Sequence, residues 1–158
     1  MASSLLLPDW CLAAGFVRNL IWDRLHGYET PTPLNDIDLI YFDKDHCSPE
    51  IDQKYEDRLK SFSNLPWSVK NQARMHIRND DPAYLSTGDA MSYWVEVETA
   101  VGAKLSGGKI QLVAPFGVGA LMSKTISINK KRPKQDAYQE RLNRKKWIEI
   151  WPDLKIID

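Results

Sequence analysis

Residues 35–43, Asn-Asp-Ile-Asp-Leu-Ile-Tyr-Phe-Asp, place two carboxylates two positions apart at the mouth of an otherwise aliphatic and aromatic run. Residues of that kind fit a pleated, half-buried surface, so the run reads as a strand. Strand side chains alternate between faces, and Asp36 and Asp38 therefore point to the same side. Their Cα atoms lie roughly 6.5 Å apart at about 3.3 Å per residue. Carboxylates at that spacing can converge on one hard cation such as Mg²⁺. A pair of like charges opening an apolar strand needs a reason, because unpaired charge is costly where water is scarce. A metal ion supplies one, and a strand end that merely reaches solvent is the competing reading.

The flanking patterns set this strand in a mixed fold. Leu5–Ala14 is a short apolar lead-in, readable as a strand or as a buried helical start. From Gly15, the residues Val17, Leu20, Ile21 and Leu25 recur at the three-and-four spacing of one helical stripe, which His26 and Gly27 end. Pro31 and Pro33 make the stretch 28–34 a loop. After Asp43, Ser48 as cap and Pro49 at the first position open a helix carrying Ile51, Tyr55, Leu59 and Phe62. Residues 67–75 alternate as a strand, with Trp67, Val69, Ala73 and Met75 on one face and Ser68, Lys70, Gln72 and Arg74 on the other. Asn71 falls on the apolar side. Ser86 or Thr87 caps a helix holding Met91, Trp94 and Val95, and Gly107-Gly108 joins two strand-like runs into a hairpin. An amphipathic helix over 137–151 closes the chain before Pro152. Strands interleaved with helices, then a hairpin, predict an α/β (α+β) fold: a mixed β-sheet flanked by helices. Its 158 residues fit one domain, 1–158, with a basic C-terminal segment from about 121.

Charge and cysteine usage exclude several classes. Lys plus Arg and Asp plus Glu each number 21, which argues against a general nucleic-acid or membrane coat. The distribution is uneven: acids outnumber bases eight to four over 36–60, and bases outnumber acids ten to five from Leu121 onward. Cys11 and Cys47 form no CxxC pair, so neither a disulfide scaffold nor a zinc ribbon is expected. The leucines near the N-terminus lack a basic flank, and no apolar run approaches the roughly 20 residues of a membrane span. A cytoplasmic protein is expected. Residues 43–45 resemble the start of a calcium loop, but Ser48 and Lys54 stand where Gly and Glu are required. Gly117-Val118-Gly119 lacks the third glycine of a dinucleotide fingerprint. His26, His46 and His76 show no ligand spacing.

What precedes the Asp36 strand gives the acids a context. The start of the Gly15 helix offers free N–H groups to an anion, and Gly15 permits close backbone approach. Arg18 and Asn19 follow in the first turn, and a guanidinium suits bidentate phosphate contact. Lys70 and Arg74 could add phosphate or acceptor contacts, or could line a solvated strand face. A phosphate seat one element before a carboxylate pair suits nucleoside triphosphate chemistry, in which a metal bridges phosphate oxygens.

Residues 15–23, beginning Gly15-Phe16-Val17-Arg18-Asn19, then Asp36-Ile37-Asp38-Leu39-Ile40-Tyr41-Phe42-Asp43, residues 67–76, Ala114-Pro115-Phe116-Gly117 and the terminal Trp147 to Pro152 occur in that order. In this order the blocks resemble a small bacterial family of nucleotidyltransferases within the DNA polymerase β-like superfamily. The resemblance implies the nucleotidyltransferase fold and transfer of a nucleoside monophosphate from a nucleoside triphosphate to an acceptor: a small molecule, RNA or protein. It implies Asp36 and Asp38 as catalytic ligands of Mg²⁺ (or Mn²⁺), and Gly15, Arg18, Asn19, Lys70 and Asn71 as nucleotide-binding residues, with no membrane partner. The superfamily carries Gly-Ser or Gly-Gly at the helix start, where this chain has Phe16 after Gly15, and a third carboxylate on a later strand. Asn71 occupies roughly that place. The missing acid implies slow catalysis, use of Glu96 or Glu98 instead, or lost activity. A non-catalytic nucleotide-binding or regulatory module on the same fold is the alternative.

Overall fold

In the computed structural model, which describes residues 1–157, the chain enters through a 3₁₀ turn and β1 (Cys11–Ala13). It then runs through α1 (Gly15–Leu25), β2 (Ile37–Tyr41), α2 (Pro49–Phe62) and β3 (Trp67–Asn71). A second 3₁₀ turn (Gln72–Arg74), α3 (Met75–Asn79) and α4 (Thr87–Met91) lead to the hairpin β4 (Gly102–Ser106) and β5 (Lys109–Val113). The chain closes through α5 (Gly119–Met122), β6 (Thr125–Ser127), α6 (Gln135–Lys145), α7 (Trp147–Ile150) and β7 (Lys155–Ile157). The main sheet has the order β3-β2-β1-β4-β5, with β2 and β3 parallel and the other pairs antiparallel. The expected mixed sheet flanked by helices is therefore present.

Alternation along β2 sorts the sheet into two unlike faces. Ile37, Leu39 and Tyr41 pack with Trp67, Val69 and Leu59 of α2, and Leu5 and Leu7 cover the same cluster. The other face carries Asp38, paired in register with Ala13 on β1 and Ser68 on β3. Farther along that face Ile40 packs with Cys11, Met91 and Ala100. Gly102 lies opposite Ala13, and a Cβ there would come 2.6 Å from Cys11 Sγ and 3.2 Å from the Leu12 carbonyl oxygen. Only glycine fits.

A separate cluster of Trp22, Leu121, Ile126, Tyr138, Trp147 and Trp151 docks the basic C-terminal segment onto α1. Asp23 anchors this junction: it accepts the Trp151 indole N–H at 2.8 Å and the Thr32 N–H and hydroxyl at 2.8 and 2.6 Å. Those bonds hold the proline-containing loop that delivers the chain to Asp36.

Three sequence expectations need correction. The strand expected over 67–75 stops at Asn71, because the Asn71 side chain accepts the Ala73 N–H and turns the backbone into a 3₁₀ helix. The helix expected to hold Met91, Trp94 and Val95 is only Thr87–Met91, capped by Ser86 through the Asp89 N–H. The closing helix breaks at Lys146, which adopts a left-handed φ of 53° and separates α6 from α7. Gly107 and Gly108 take φ of 56° and 74°, as the expected tight hairpin turn requires.

Candidate functional site

At the β1–α1 junction the backbone makes a sharp entry. Ala14 has φ 51° and ψ −119°, a conformation that favours glycine, and its N–H donates to the Val101 carbonyl at 2.8 Å. Its carbonyl accepts the Val17 and Arg18 N–H groups, so those of Gly15 and Phe16 have no intrahelical partner. The glycine-demanding position is thus Ala14. A Cβ on Gly15 would meet only ordinary contacts, the nearest at 3.5 Å to Arg18.

This helix start opens into a cavity of about 160 Å³, lined by Gly15, Arg18, Asn19, Asp36, Asp38 and Lys145 among others. A larger cavity of about 440 Å³ lies beside it, lined in part by Lys70, Gln72, Tyr93, Trp94 and Glu96. The two share Ala14, Asp38 and Arg141. Asp38 therefore stands where the cavities meet.

Burial, then the neighbouring Asp36 charge, pushes the Asp38 carboxyl above the usual carboxylate range, against a hydrogen bond from Ser68 and the charges of Lys145 and Arg18. Arg18 is 93% buried, and burial pulls its guanidinium down to about 10. Glu96 opposes that loss, Arg141 adds to it, and Asp36 and Asp38 oppose it. Arg18 stacks between Trp22 and Trp147, 5.1 Å from each ring centroid, and one Nη donates to Asn19 at 2.8 Å. Its Nε is buried with no partner. An enclosed cation with an unfilled donor thus lines one cavity with two acids.

Asp36 is exposed, Asp38 is half-buried, and both line the smaller cavity. Mg²⁺ is commonly held by one or two carboxylates, with water and substrate phosphates completing the shell, and this donor pair fits that pattern. Among the described residues no group of three His, Cys, Asp or Glu side chains is placed to hold a metal ion.

The structure brings together Gly15, Arg18, Asn19, Asp36 and Asp38, and places Lys70 on the larger cavity with a 3.9 Å approach to Glu56. It does not bring Asn71. Asn71 pairs with Tyr41 on β2, three positions from the Ser68–Asp38 pair, and so faces α2 on the opposite side of the sheet. Its amide oxygen accepts the Asp43 and Ala73 N–H groups, and its nitrogen donates to the Asp43 and His46 carbonyls. Asn71 is thus a loop clamp, and Ser68 occupies the position beside Asp38. Glu98 is equally committed, accepting bonds from the Thr125 and Ser127 hydroxyls and the Ser127 N–H. Glu96 lines the larger cavity but is bound to Arg141 at 2.5 and 3.0 Å.

Sequence reasoning missed Arg141 and Lys145, which it placed in an undifferentiated basic tail. Their spacing of four along α6 puts both on one helix face, and that was the available signal.

The face of the sheet, the strained turn into α1 and the Asp36–Asp38 pair together define a polymerase β-like nucleotidyltransferase fold. The chain belongs to the nucleotidyltransferase family, whose model matches residues 1–156. An NMR structure described as revealing a CCA-adding enzyme head domain is 33% identical with a TM-score of 0.87, covering 99% of this chain and 85% of that one. A CCA-adding enzyme in complex with CTP is 15% identical with a TM-score of 0.61. The Thermotoga maritima CCA-adding enzyme complexed with tRNA is 16% identical with a TM-score of 0.59. This chain is covered to 99% in both comparisons but spans only 38% and 37% of those enzymes, a likeness of fold. No curated protein matches the sequence. Among the described residues no helix is long and apolar enough to cross a membrane.

Proposed function

We propose that the protein is a metal-dependent nucleotidyltransferase that moves a nucleoside monophosphate from a nucleoside triphosphate to an acceptor hydroxyl. The observation that carries this reading is Asp38: it stands at the meeting point of two cavities, the smaller of which also holds Asp36 and the buried, incompletely bonded Arg18.

In this reading the smaller cavity takes phosphates. The free N–H groups of Gly15 and Phe16 and the Arg18 guanidinium bind phosphate oxygens, and Lys145 adds charge. Asp36 and Asp38 would hold Mg²⁺ or Mn²⁺, which when bound neutralises phosphate charge and orients the oxygens. The larger cavity receives the second part of the reacting pair, so the reacting phosphorus lies at the Asp38 boundary. An acceptor oxygen forms a bond to that phosphorus as the bond to the bridging oxygen breaks. Pyrophosphate leaves, and the hydroxyl proton passes to water. Positioning and charge neutralisation supply most of the acceleration in phosphoryl transfer, and the chain's own residues do the positioning.

Isothermal titration with Mg-ATP, Mg-CTP, Mg-GTP and Mg-UTP tests the reading. Binding of at least one, weakened by Asp36→Asn, is expected. Folded protein that binds none of the four would sink it. A second reading, a non-catalytic nucleotide-binding module, is favoured by Ser68 standing beside Asp38 where a third acid would complete the site. It predicts nucleotide binding without pyrophosphate release, and release that Asp36→Asn abolishes would refute it. The fold alone decides between neither, since one fold carries many activities.

A further inference from the structure

The passage between the two cavities has a second charged wall. Besides Asp38, Arg141 is the other charged side chain lining both spaces. It is held there by Glu96, which is fully buried. Glu96 Oε1 accepts the Arg141 Nε–H at 2.5 Å, and Oε2 accepts an Nη2–H at 3.0 Å and the Thr99 hydroxyl at 3.0 Å. Both carboxylate oxygens are occupied. A general base or a metal ligand needs an oxygen that is free to turn toward its target.

The charge balance points the same way. Arg18 and Arg141 both stack on Trp147, at 5.1 and 5.7 Å from its centroid, and Glu96 is the carboxylate that Arg141 binds. Burial lowers the Arg18 guanidinium first, and the nearby Arg141 charge adds to that loss. Glu96 takes Nε and one Nη2 hydrogen of Arg141, which leaves its Nη1 donors for a ligand. An isolated ion pair of this kind is a weak stabiliser, because desolvation offsets most of its attraction. A cation with donors to spare, beside a passage that an anionic group must cross, gives the pair a use.

We propose that Arg141 contacts the transferred phosphate of a bound nucleotide where the cavities meet, and that Glu96 is its positioning residue and neither a third metal ligand nor a base. The proposal rests on the nucleotide-binding reading above and assigns the side of the phosphate opposite the carboxylate pair. Planar, bidentate recognition makes Arg141 the fitting residue, and lysine there keeps charge but loses the fork.

Three variants, Arg141→Ala, Arg141→Lys and Glu96→Gln, test it in the full chain, with folding checked by circular dichroism and melting. Each is titrated with the Mg-nucleotide that binds the wild type, with the matching unphosphorylated nucleoside, and with Mn²⁺ alone followed by electron paramagnetic resonance. Arg141→Ala should weaken Mg-nucleotide binding on the order of 10- to 100-fold, the scale of a charge-assisted hydrogen bond, and leave nucleoside binding unchanged. Arg141→Lys should lose several-fold. Glu96→Gln should weaken the Mg-nucleotide and leave Mn²⁺ affinity as in the wild type. A purely structural pair would lower the melting temperature without moving nucleotide affinity, and that result overturns the proposal. So does Glu96→Gln that loses Mn²⁺ affinity in the absence of nucleotide. If Arg141→Ala does not fold, Arg141→Lys decides, and wild-type affinity in it overturns the proposal. A wild type that binds no Mg-nucleotide defeats the functional reading as well, whereas an unaffected Arg141→Ala beside a binding wild type defeats this inference alone.

Discussion

The acids on the two faces of the sheet are treated differently. On the α2 face, Asp52 accepts from Arg74 at 2.6 Å, from the Tyr41 hydroxyl at 2.7 Å and from the Asn71 N–H at 3.1 Å. Near the ends of α3 and α6, Asp81 is equally saturated, with Arg132 and Lys134 each at 3.0 Å and the Tyr84 hydroxyl at 2.5 Å. On the cleft face, Asp36 and Asp38 have no ion pair among the described residues, and Asp38 is disfavoured by burial and by its neighbour's charge. Supported acids hold the chain together. Asp38, without an ion-pair partner, is a cost to the empty fold, which is the expected signature of a group kept for a ligand.

The largest effect should come from breaking a supported acid. Asp52→Ala leaves the Arg74 guanidinium and the Tyr41 hydroxyl without their partner in a buried setting, a loss of about 3–5 kcal/mol. Urea denaturation followed by fluorescence of the tryptophans measures it. A loss below about 1 kcal/mol would mean that the α2 face is no better supported than the cleft, against the usual cost of a broken buried pair.

Asn71→Asp sharpens the comparison, because it supplies the acid that the superfamily resemblance implies at this place. The amide nitrogen donates to the Asp43 carbonyl at 2.7 Å and the His46 carbonyl at 2.9 Å, and a carboxylate would set an acceptor against both. The expected result is a loss of about 2–3 kcal/mol, the cost of unsatisfied buried acceptors. Metal affinity should not rise, since residue 71 faces away from Asp38. A gain in Mn²⁺ binding or in pyrophosphate release would break the assignment of faces.

This position also marks where sequence reading ran out. Alternation placed Asp36 and Asp38 on one side of β2, and the helix-start glycine led to Arg18 and Asn19, because those signals are local. The same alternation sets Asn71 apart from Ser68 and Lys70, so strand parity and the superfamily pattern point to different faces there, and the structure follows parity. Chain turns such as the 3₁₀ helix after Asn71 depend on one side-chain bond, Asn71 Oδ1 to the Ala73 N–H, which no periodicity reveals. Arg141 and Lys145 were hidden for another reason. They line the same cavity as Asp38 from about a hundred positions farther along the chain, and only because Trp147 and Trp151 dock on α1.

A smaller effect tests the cleft face itself. Ala14 holds φ 51° and ψ −119°, and such strain costs an L-residue about 1–3 kcal/mol. Ala14→Gly should therefore stabilise the protein by about 1 kcal/mol after the added freedom of the unfolded chain is subtracted. A melting temperature that falls would mean that the Ala14 methyl makes contacts worth more than the strain it carries.

The smallest effect in the empty protein should be the most diagnostic. Because burial, and then Asp36, raise the folded-state pKa of Asp38, the folded protein binds that proton more tightly than the unfolded chain does. The resulting stabilisation is complete below the unfolded pKa and is lost as pH rises through the raised folded value, so at neutral pH the ionised side chain is a net cost. Asp38→Asn removes it and should stabilise the metal-free protein by at most about 1 kcal/mol, given partial solvent screening. The advantage should shrink as pH falls and wild-type Asp38 takes up its proton. Mg²⁺ should reverse the order: the wild type gains stability by mass action, the variant gains little, and the two melting curves cross. Asp38→Asn that melts below the wild type at neutral pH without Mg²⁺ would show that the pair is structurally supported after all, and the contrast between the two faces would fail.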